Sequence, residues 1–209
     1  MERGVWMDKI LFRNKYRIES TRMPTWDYST PGLYFVTICT QGKECTLGEI
    51  RDGIVVLSGM GNTVGECWDE IPKHFANVSL DALVIMPNHV HGVLMFGDLE
   101  KPGWEIPNPK LFSGRDVQLN VPTMDIHKSI SPKRGTLSVV VRTFKAAVTT
   151  RCRREGIKEF RWQSRFYDRI IRDDDELNRV REYITANQAQ WAEDKENPQR
   201  TGPWREWEP

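Results

Sequence analysis

Two histidines inside an apolar stretch are the residues of this sequence best suited to chemistry. His89 and His91 lie in Met86-Pro87-Asn88-His89-Val90-His91-Gly92. On a β-strand, side chains two residues apart point to the same face. Neutral imidazole is the commonest metal ligand in proteins, so the spacing favours one half of a metal site. An isolated pair is equally compatible with one core and one surface histidine that bind nothing.

Tyr183 and Asn187 form a second notable pair. Their i, i+4 spacing makes them neighbours on a helix surface, at the edge of an apolar stripe. Two imidazoles and one side-chain carbonyl oxygen would make an open three-ligand site, which suits metal-assisted chemistry. Tyrosine can act as a covalent nucleophile when activated. Taken alone, this pair also fits simple packing of a tyrosine ring at the rim of the core.

The elements that must position these residues follow from hydrophobic periodicity and turn signals. Pro87 and Asn88 interrupt the apolar run around the histidines, so two strands and one bulged strand both remain open. We predict strands at 33–40, 46–50, 54–57, 78–86, 90–96 and 166–171, and helices at 63–75, from 136 to about 152 and from 173 to about 191. The order β-β-β-α-β-β-α-β-α predicts an α+β fold, with helices packed on one face of an antiparallel sheet.

The predicted organisation is one domain with additions. Residues 1–31 form an irregular N-terminal arm, 32–192 the domain, and 193–209 a polar C-terminal tail. The proline- and glycine-rich stretch 97–133 is expected to be a mobile insertion in the domain.

Composition excludes several classes of protein. The 209 residues are 39% hydrophobic and 28% charged, as in ordinary globular proteins. No apolar run approaches the roughly 20 residues of a membrane helix, so no membrane partner is expected. Residues 1–14 lack a signal-peptide pattern, and the four cysteines form no C-x-x-C pair. We therefore expect a cytoplasmic protein with reduced thiols.

The near-neutral net charge conceals a basic segment. Residues 133–172 contain twelve basic and three acidic residues, for a local charge of about +9. Such a patch suits phosphate, and interleaved aromatic rings suit unpaired bases. The predicted DNA-binding residues are Lys145, Arg151, Arg153, Arg154, Arg161, Trp162, Gln163, Arg165 and Arg169. The first half of the segment also fits a solvated helix face, and Trp162 also fits a core position.

Together, the histidine motif and Tyr183-x-x-x-Asn187 resemble the HUH single-tyrosine transposases, and most closely the bacterial REP-associated tyrosine transposases. The resemblance covers most of the chain. It includes Tyr28-Ser29-Thr30-Pro31-Gly32-Leu33-Tyr34-Phe35-Val36-Thr37, Trp162-Gln163, Tyr167-Asp168-Arg169-Ile170-Ile171-Arg172 and Tyr183-Ile184-Thr185-Ala186-Asn187. Gln188 departs from the family, which usually has proline there.

The resemblance implies a ferredoxin-like sheet, the HUH endonuclease fold, with the histidines on a central strand. It implies Mg²⁺ or Mn²⁺ held by His89, His91 and Asn187, and cleavage and rejoining of single-stranded DNA through a 5′-phosphotyrosine on Tyr183. The expected partner is hairpin-containing single-stranded DNA, which would place the protein at the nucleoid, and a monomer is favoured over a homodimer. Two alternatives remain: a metal-dependent hydrolase that activates water, and a domesticated DNA-binding transposase without cleavage activity.

Overall fold

The computed structural model describes residues 31–97 and 135–200. The predicted N-terminal arm, except Pro31, and almost all of the predicted insertion lie outside the described residues. Residues 201–209 of the predicted tail also lie outside them.

A four-stranded antiparallel sheet forms the centre of the fold. Its strands are β1 (Gly32–Cys39), β4 (Val78–Ile85), β5 (His89–Phe96) and β6 (Tyr167–Ile171), in the order β4-β5-β1-β6. The two central strands, β5 and β1, are the ones that carry the histidines and their neighbours.

A separate hairpin follows β1 in the chain. It consists of β2 (Gly48–Arg51) and β3 (Ile54–Leu57), joined by a turn at Asp52 and Gly53. Both turn residues have positive φ, 50° and 76°, which explains the Asp-Gly sequence at this position.

Two of the helices in the described ranges begin at side-chain caps, and some predicted boundaries shift. They are α1 (Gly59–Asp69), α2 (Ile71–His74), α3 (Leu137–Arg154) and α4 (Asp174–Ala186), with 3₁₀ turns at Gln41–Lys43 and Trp191–Glu193. The single helix predicted over 63–75 is therefore two helices, because Ser58 caps the first one early and Pro72 occupies the first turn of the second. We predicted that the last helix would run to about residue 191, but it ends at Ala186.

The helices cover both faces of the sheet. On β1, Tyr34, Val36 and Ile38 pack with α1 and α3, whereas Leu33 and Phe35 pack with α4. The α+β fold with an antiparallel sheet is confirmed, but the prediction that helices pack on one face is wrong. All eight residues of β1 are buried, since each face has its own apolar layer.

Gly92 lets the first of these layers approach the histidine strand closely. A Cβ at this position would lie 2.4 Å from one ring carbon of Trp68 and 2.5 Å from another. Trp68 is buried on α1 and meets Phe144 of α3 edge-on. The glycine after the second histidine is thus required by packing behind the site.

None of the helices within the described ranges has the length and apolarity of a membrane span. All four cysteines fall in these ranges and are free thiols.

Candidate active site

His89 and His91 project from β5 toward α4, with their ring nitrogens converging. Their exposed fractions are 0% and 1%, and their two Nε2 atoms lie 2.9 Å apart. Two strands separated by a short turn, rather than one bulged strand, carry the motif, because β4 ends at Ile85 and β5 starts at His89. The two histidines therefore point to the same face of the sheet, as their two-residue spacing predicted.

The opposite nitrogen of each imidazole is held by a side-chain oxygen. Nδ1 of His89 lies 2.8 Å from Oδ1 of Asn88, and Nδ1 of His91 lies 2.9 Å from Oγ1 of Thr37. The amide of Asn88 donates to the carbonyls of Lys43 and Glu196 at 3.0 and 2.7 Å. Its Oδ1 is therefore the acceptor, and His89 carries its proton on Nδ1. Nε2 of His89 then presents a lone pair, as in a metal-ligating histidine.

Burial keeps both imidazoles neutral. It lowers the pKa of His89 to about 3 and the pKa of His91 well below its usual value, and the neighbouring His89 adds to the second effect. Neutral imidazole is the form that binds a metal ion.

The hydroxyl of Tyr183 lies beside this pair. It is 3.2 Å from Nε2 of His91, and its ring meets Phe35 and His91 edge-on at 6.1 and 5.2 Å between centroids. Burial, and then the negative charge of Asp194, raise the pKa of Tyr183 well above its usual range. The resting phenol is thus protonated and needs a nearby positive charge to become a nucleophile.

Oxygen donors approach the histidines from the segment after α4. Nδ2 of Asn187 donates to Oδ2 of Asp194 at 3.3 Å, and that oxygen lies 3.8 Å from Nε2 of His89. The donor atoms of His89, His91 and Asp194 all lie within 4.8 Å of one another. Within the described residues, Oδ1 of Asn187 is buried and accepts no hydrogen bond. Two converging imidazoles, a carboxylate and an unused amide oxygen fit a divalent cation.

Sequence reasoning missed Asp194, which it placed in the polar tail. Asp194 follows the 3₁₀ turn at Trp191–Glu193, and it is only 9% exposed and lies near His89. It also missed Asn88 and Thr37. An asparagine inside an otherwise apolar motif was the available signal for Asn88, since a buried amide requires partners.

Five of the predicted DNA-binding residues line one groove beside α3, here called the α3 groove. Its volume is about 390 Å³, and the five are Lys145, Arg153, Arg161, Trp162 and Gln163. Trp162 is half-buried and packs against Phe144 and Phe160, so its ring serves both the core and the groove wall.

Lys145 fixes the shape of this groove. Its ammonium donates to the backbone carbonyls of Gln163 and Arg165 at 2.7 and 2.9 Å. Burial lowers the pKa of Lys145 to about 8. Its main contact is therefore the 163–165 loop, which it ties to α3.

The other four predicted DNA-binding residues lie elsewhere. Arg151 is paired with Glu70 and, at 3.4 Å, with Glu66. Arg169 is paired with the buried Glu176 at 2.8 Å. Arg154 is exposed at the end of α3, and Arg165 lines a second groove near the histidines. The structure therefore divides the predicted DNA-binding cations between those that line grooves or are exposed and those engaged by carboxylates.

No protein-family model matches the chain, but individual proteins do. An uncharacterized protein of Haemophilus influenzae is 34% identical over 179 residues, covering 84% of this chain and 91% of that protein. The chain belongs to the same family as this Haemophilus protein.

The structure of a REP-associated tyrosine transposase bound to a REP hairpin is also similar. It superposes with a TM-score of 0.51 at 16% identity, covering 83% of this chain and 74% of that one. The resemblance seen in the sequence motifs is therefore confirmed at the level of the fold.

Proposed function

We propose that the protein is a metal-dependent single-strand DNA endonuclease and strand transferase of the transposase type. Tyr183 is its nucleophile and forms a 5′-phosphotyrosine with the cleaved strand. The observation that carries this proposal is the 3.2 Å approach of the Tyr183 hydroxyl to Nε2 of His91, in a pair whose Nε2 atoms converge.

The cation would be Mg²⁺ or Mn²⁺. Nε2 of His89, Nε2 of His91 and Oδ1 of Asn187 would hold it, with the Asp194 carboxylate adjacent. When bound, the ion supplies positive charge that stabilises the phosphate oxygens and the leaving 3′ oxygen.

The chain's own residues position and activate the attacking group. The Tyr183 oxygen forms a bond to phosphorus as the bond from phosphorus to the 3′ oxygen breaks. The phenol loses its proton and the 3′ oxygen gains one, so the reaction is balanced without another reactant. Because the phosphoester is conserved, a different 3′-hydroxyl can reverse the step and join two strands.

The neutral phenol explains why the step needs the rest of the site. With its pKa raised by burial, Tyr183 is protonated in the resting site, and a cation held by the histidines would favour its phenolate form. Phe35 and His91 pack against its ring and restrict the direction of its hydroxyl.

The substrate is a single strand that contains a hairpin. The α3 groove offers Arg153, Arg161 and an aromatic wall for its backbone. The fold neighbour that was solved with a REP hairpin supports this choice of ligand. Tyr183 and both histidines come from one chain, so a monomer contains a complete site, and we propose that the protein acts as one.

A cleavage assay tests the proposal. A hairpin oligonucleotide with single-stranded flanks, labelled at its 3′ end so that the label stays on the fragment joined to Tyr183, is incubated with protein and Mn²⁺ and resolved on a denaturing protein gel. The wild type should give a labelled covalent adduct, which His89→Ala and His91→Ala should abolish while keeping DNA affinity within about tenfold, because phosphate contacts dominate affinity. The exposed His74 provides the matched control, and His74→Ala should keep the adduct.

Other outcomes would reassign the function. Cleaved DNA without an adduct would identify a hydrolase that activates water. Metal-independent binding without any cleavage would identify a DNA-binding protein with a vestigial site.

A further inference from the structure

A second groove, here called the β6 groove, lies next to the candidate active site. Its volume is about 340 Å³, and its walls come from β1, the start of β6 and residues 195–196. It is distinct from the α3 groove, although Gln163 lines both.

The sheet register places this groove directly beside the histidines. His91 pairs with Thr37 across β5 and β1, and Thr37 pairs with Tyr167 across β1 and β6. Directly opposed residues share a face of the sheet, so Tyr167 faces the same side as the histidines. Two strand spacings, roughly 10 Å, separate the backbones of Tyr167 and His91.

Thr37 forms the boundary between groove and site. Its hydroxyl lies 2.9 Å from Nδ1 of His91, and its side chain also lines the groove. The imidazole of His91 lies between this wall and the Tyr183 hydroxyl.

The lining of the groove combines an open aromatic ring with cations. Tyr167 is 44% exposed, and Nζ of Lys195 lies 5.4 Å from its ring centroid. Lys43 is paired with Glu196 at 3.2 Å. Arg165 also lines the groove and has no carboxylate partner among the described residues. The groove therefore offers a flat apolar face and two positive charges, Arg165 and Lys195, at the edge of a sheet.

We propose that the β6 groove binds one unpaired nucleotide of the DNA strand next to the phosphate that Tyr183 attacks. The base stacks on Tyr167, and Arg165 and Lys195 bind its backbone phosphates. A strand that leaves a hairpin in the α3 groove crosses the loop at Gln163 and enters the β6 groove. This inference rests on the proposed function, since it takes the scissile phosphate to lie at the histidines.

The test compares two DNA ligands without metal, so that no cleavage intervenes. Fluorescence anisotropy measures binding of a blunt hairpin and of the same hairpin with an oligothymidine extension. The extension should tighten binding to the wild type. Tyr167→Leu should weaken binding of the extended hairpin between about fivefold and a hundredfold, the range for loss of one base–aromatic stack. It should leave binding of the blunt hairpin unchanged.

Two further variants separate the groove from general effects. Tyr167→Trp keeps a stacking surface and should restore the affinity that Tyr167→Leu loses. Arg165→Gln should weaken binding of the extended hairpin selectively, whereas Arg179→Gln, which removes the same charge from the surface of α4, should not.

Equal weakening of both ligands by Tyr167→Leu, or no effect of the extension on the wild type, would overturn the assignment of the groove. The result is independent of the cleavage chemistry. If Tyr167→Leu selectively weakens binding of the extended hairpin but the wild type forms no covalent adduct, the results support the groove and reject Tyr183 as the nucleophile. If the wild type forms the adduct but Tyr167→Leu weakens binding of both hairpins equally, the results reject the groove alone.

Discussion

Oδ1 of Asn88 accepts a hydrogen bond from Nδ1 of His89 at 2.8 Å. The same amide donates to the carbonyls of Lys43 and Glu196, so three segments of the chain meet at this side chain. The contact fixes the proton of His89 on Nδ1 and leaves the Nε2 lone pair directed toward His91. Asn88 thus orients the first of the two candidate metal ligands, His89.

Replacing Asn88 should weaken metal binding without removing a ligand. We expect Asn88→Ala to lower Mn²⁺ affinity by about 10- to 100-fold, the usual effect of losing an outer partner of a metal-bound histidine. Isothermal titration calorimetry measures this, with Asn178→Ala on the exposed face of α4 as the control. Wild-type affinity in a folded Asn88→Ala protein would show that the contact does not orient His89.

Acid should destabilise the metal-free protein through the two histidines. Their pKa values are lowered by burial, to about 3 for His89, whereas the unfolded chain takes up a proton on each near pH 6.5. Unfolding therefore binds protons below pH 6.5, and the free energy of unfolding falls as the pH falls from there toward 3. Each histidine contributes about 1.4 kcal/mol per pH unit.

Urea unfolding of the metal-free protein across this range measures the effect. In His89→Gln the free energy of unfolding should fall less steeply with decreasing pH, by about 1.4 kcal/mol per pH unit, because one fewer histidine takes up a proton on unfolding. If the free energy of unfolding of the wild type stays constant from pH 6.5 downward, the histidines are not held neutral.

Gly92 should tolerate no side chain. Gly92→Ala would place a methyl group 2.4 Å from the ring of Trp68, and we expect the free energy of unfolding to fall by about 1–3 kcal/mol from overpacking. Gly65 on α1 is the matched control, because its added methyl would meet Ile85 at an ordinary 3.5 Å. Gly65→Ala should be neutral or stabilising by up to about 1 kcal/mol, since it removes a glycine from a helix. Thermal unfolding of both variants distinguishes packing from a general effect of glycine replacement.

The α3 groove should account for the salt dependence of DNA binding. Neutralising Arg153 and Arg161 together should reduce the slope of log affinity against log salt by about two, one for each phosphate that a guanidinium no longer neutralises. Arg151→Gln should leave the slope unchanged, because Glu66 and Glu70 already engage that guanidinium. Binding isotherms over a series of salt concentrations give the slopes. A decrease in slope of about one for Arg151→Gln would place Arg151 on the DNA instead.

Local sequence signals predicted the strands and the histidine pair well. The β-branched and aromatic run of β1, the Asp-Gly turn and the two-residue spacing of His89 and His91 all reflect interactions close in the chain. The sequence also contained a signal that helices lie on both faces of the sheet, because an uninterrupted apolar strand is typical of a sheet covered on both sides.

Features that depend on distant residues could not be predicted in this way. The segment after α4 has no hydrophobic period, yet it brings Asp194 to His89 and stacks Trp191 on the same ring. Arg151 and Glu70 are also far apart in sequence, so a count of charges could not show that they pair. Tertiary packing decides such placements, and it completes the candidate site.

The most direct test of Tyr183 as nucleophile locates the covalent bond between protein and DNA. The protein is incubated with Mn²⁺ and a hairpin oligonucleotide with single-stranded flanks, and the trapped adduct is digested and analysed by mass spectrometry. Tyr183→Phe removes one oxygen and keeps the ring against Phe35, so it should bind DNA normally and form no adduct. Tyr167→Phe should still form one, because its ring lies in the β6 groove and keeps its stacking surface. We expect the nucleotide on the peptide that contains Tyr183, and a nucleotide on the peptide that contains Tyr167 would contradict the proposed mechanism.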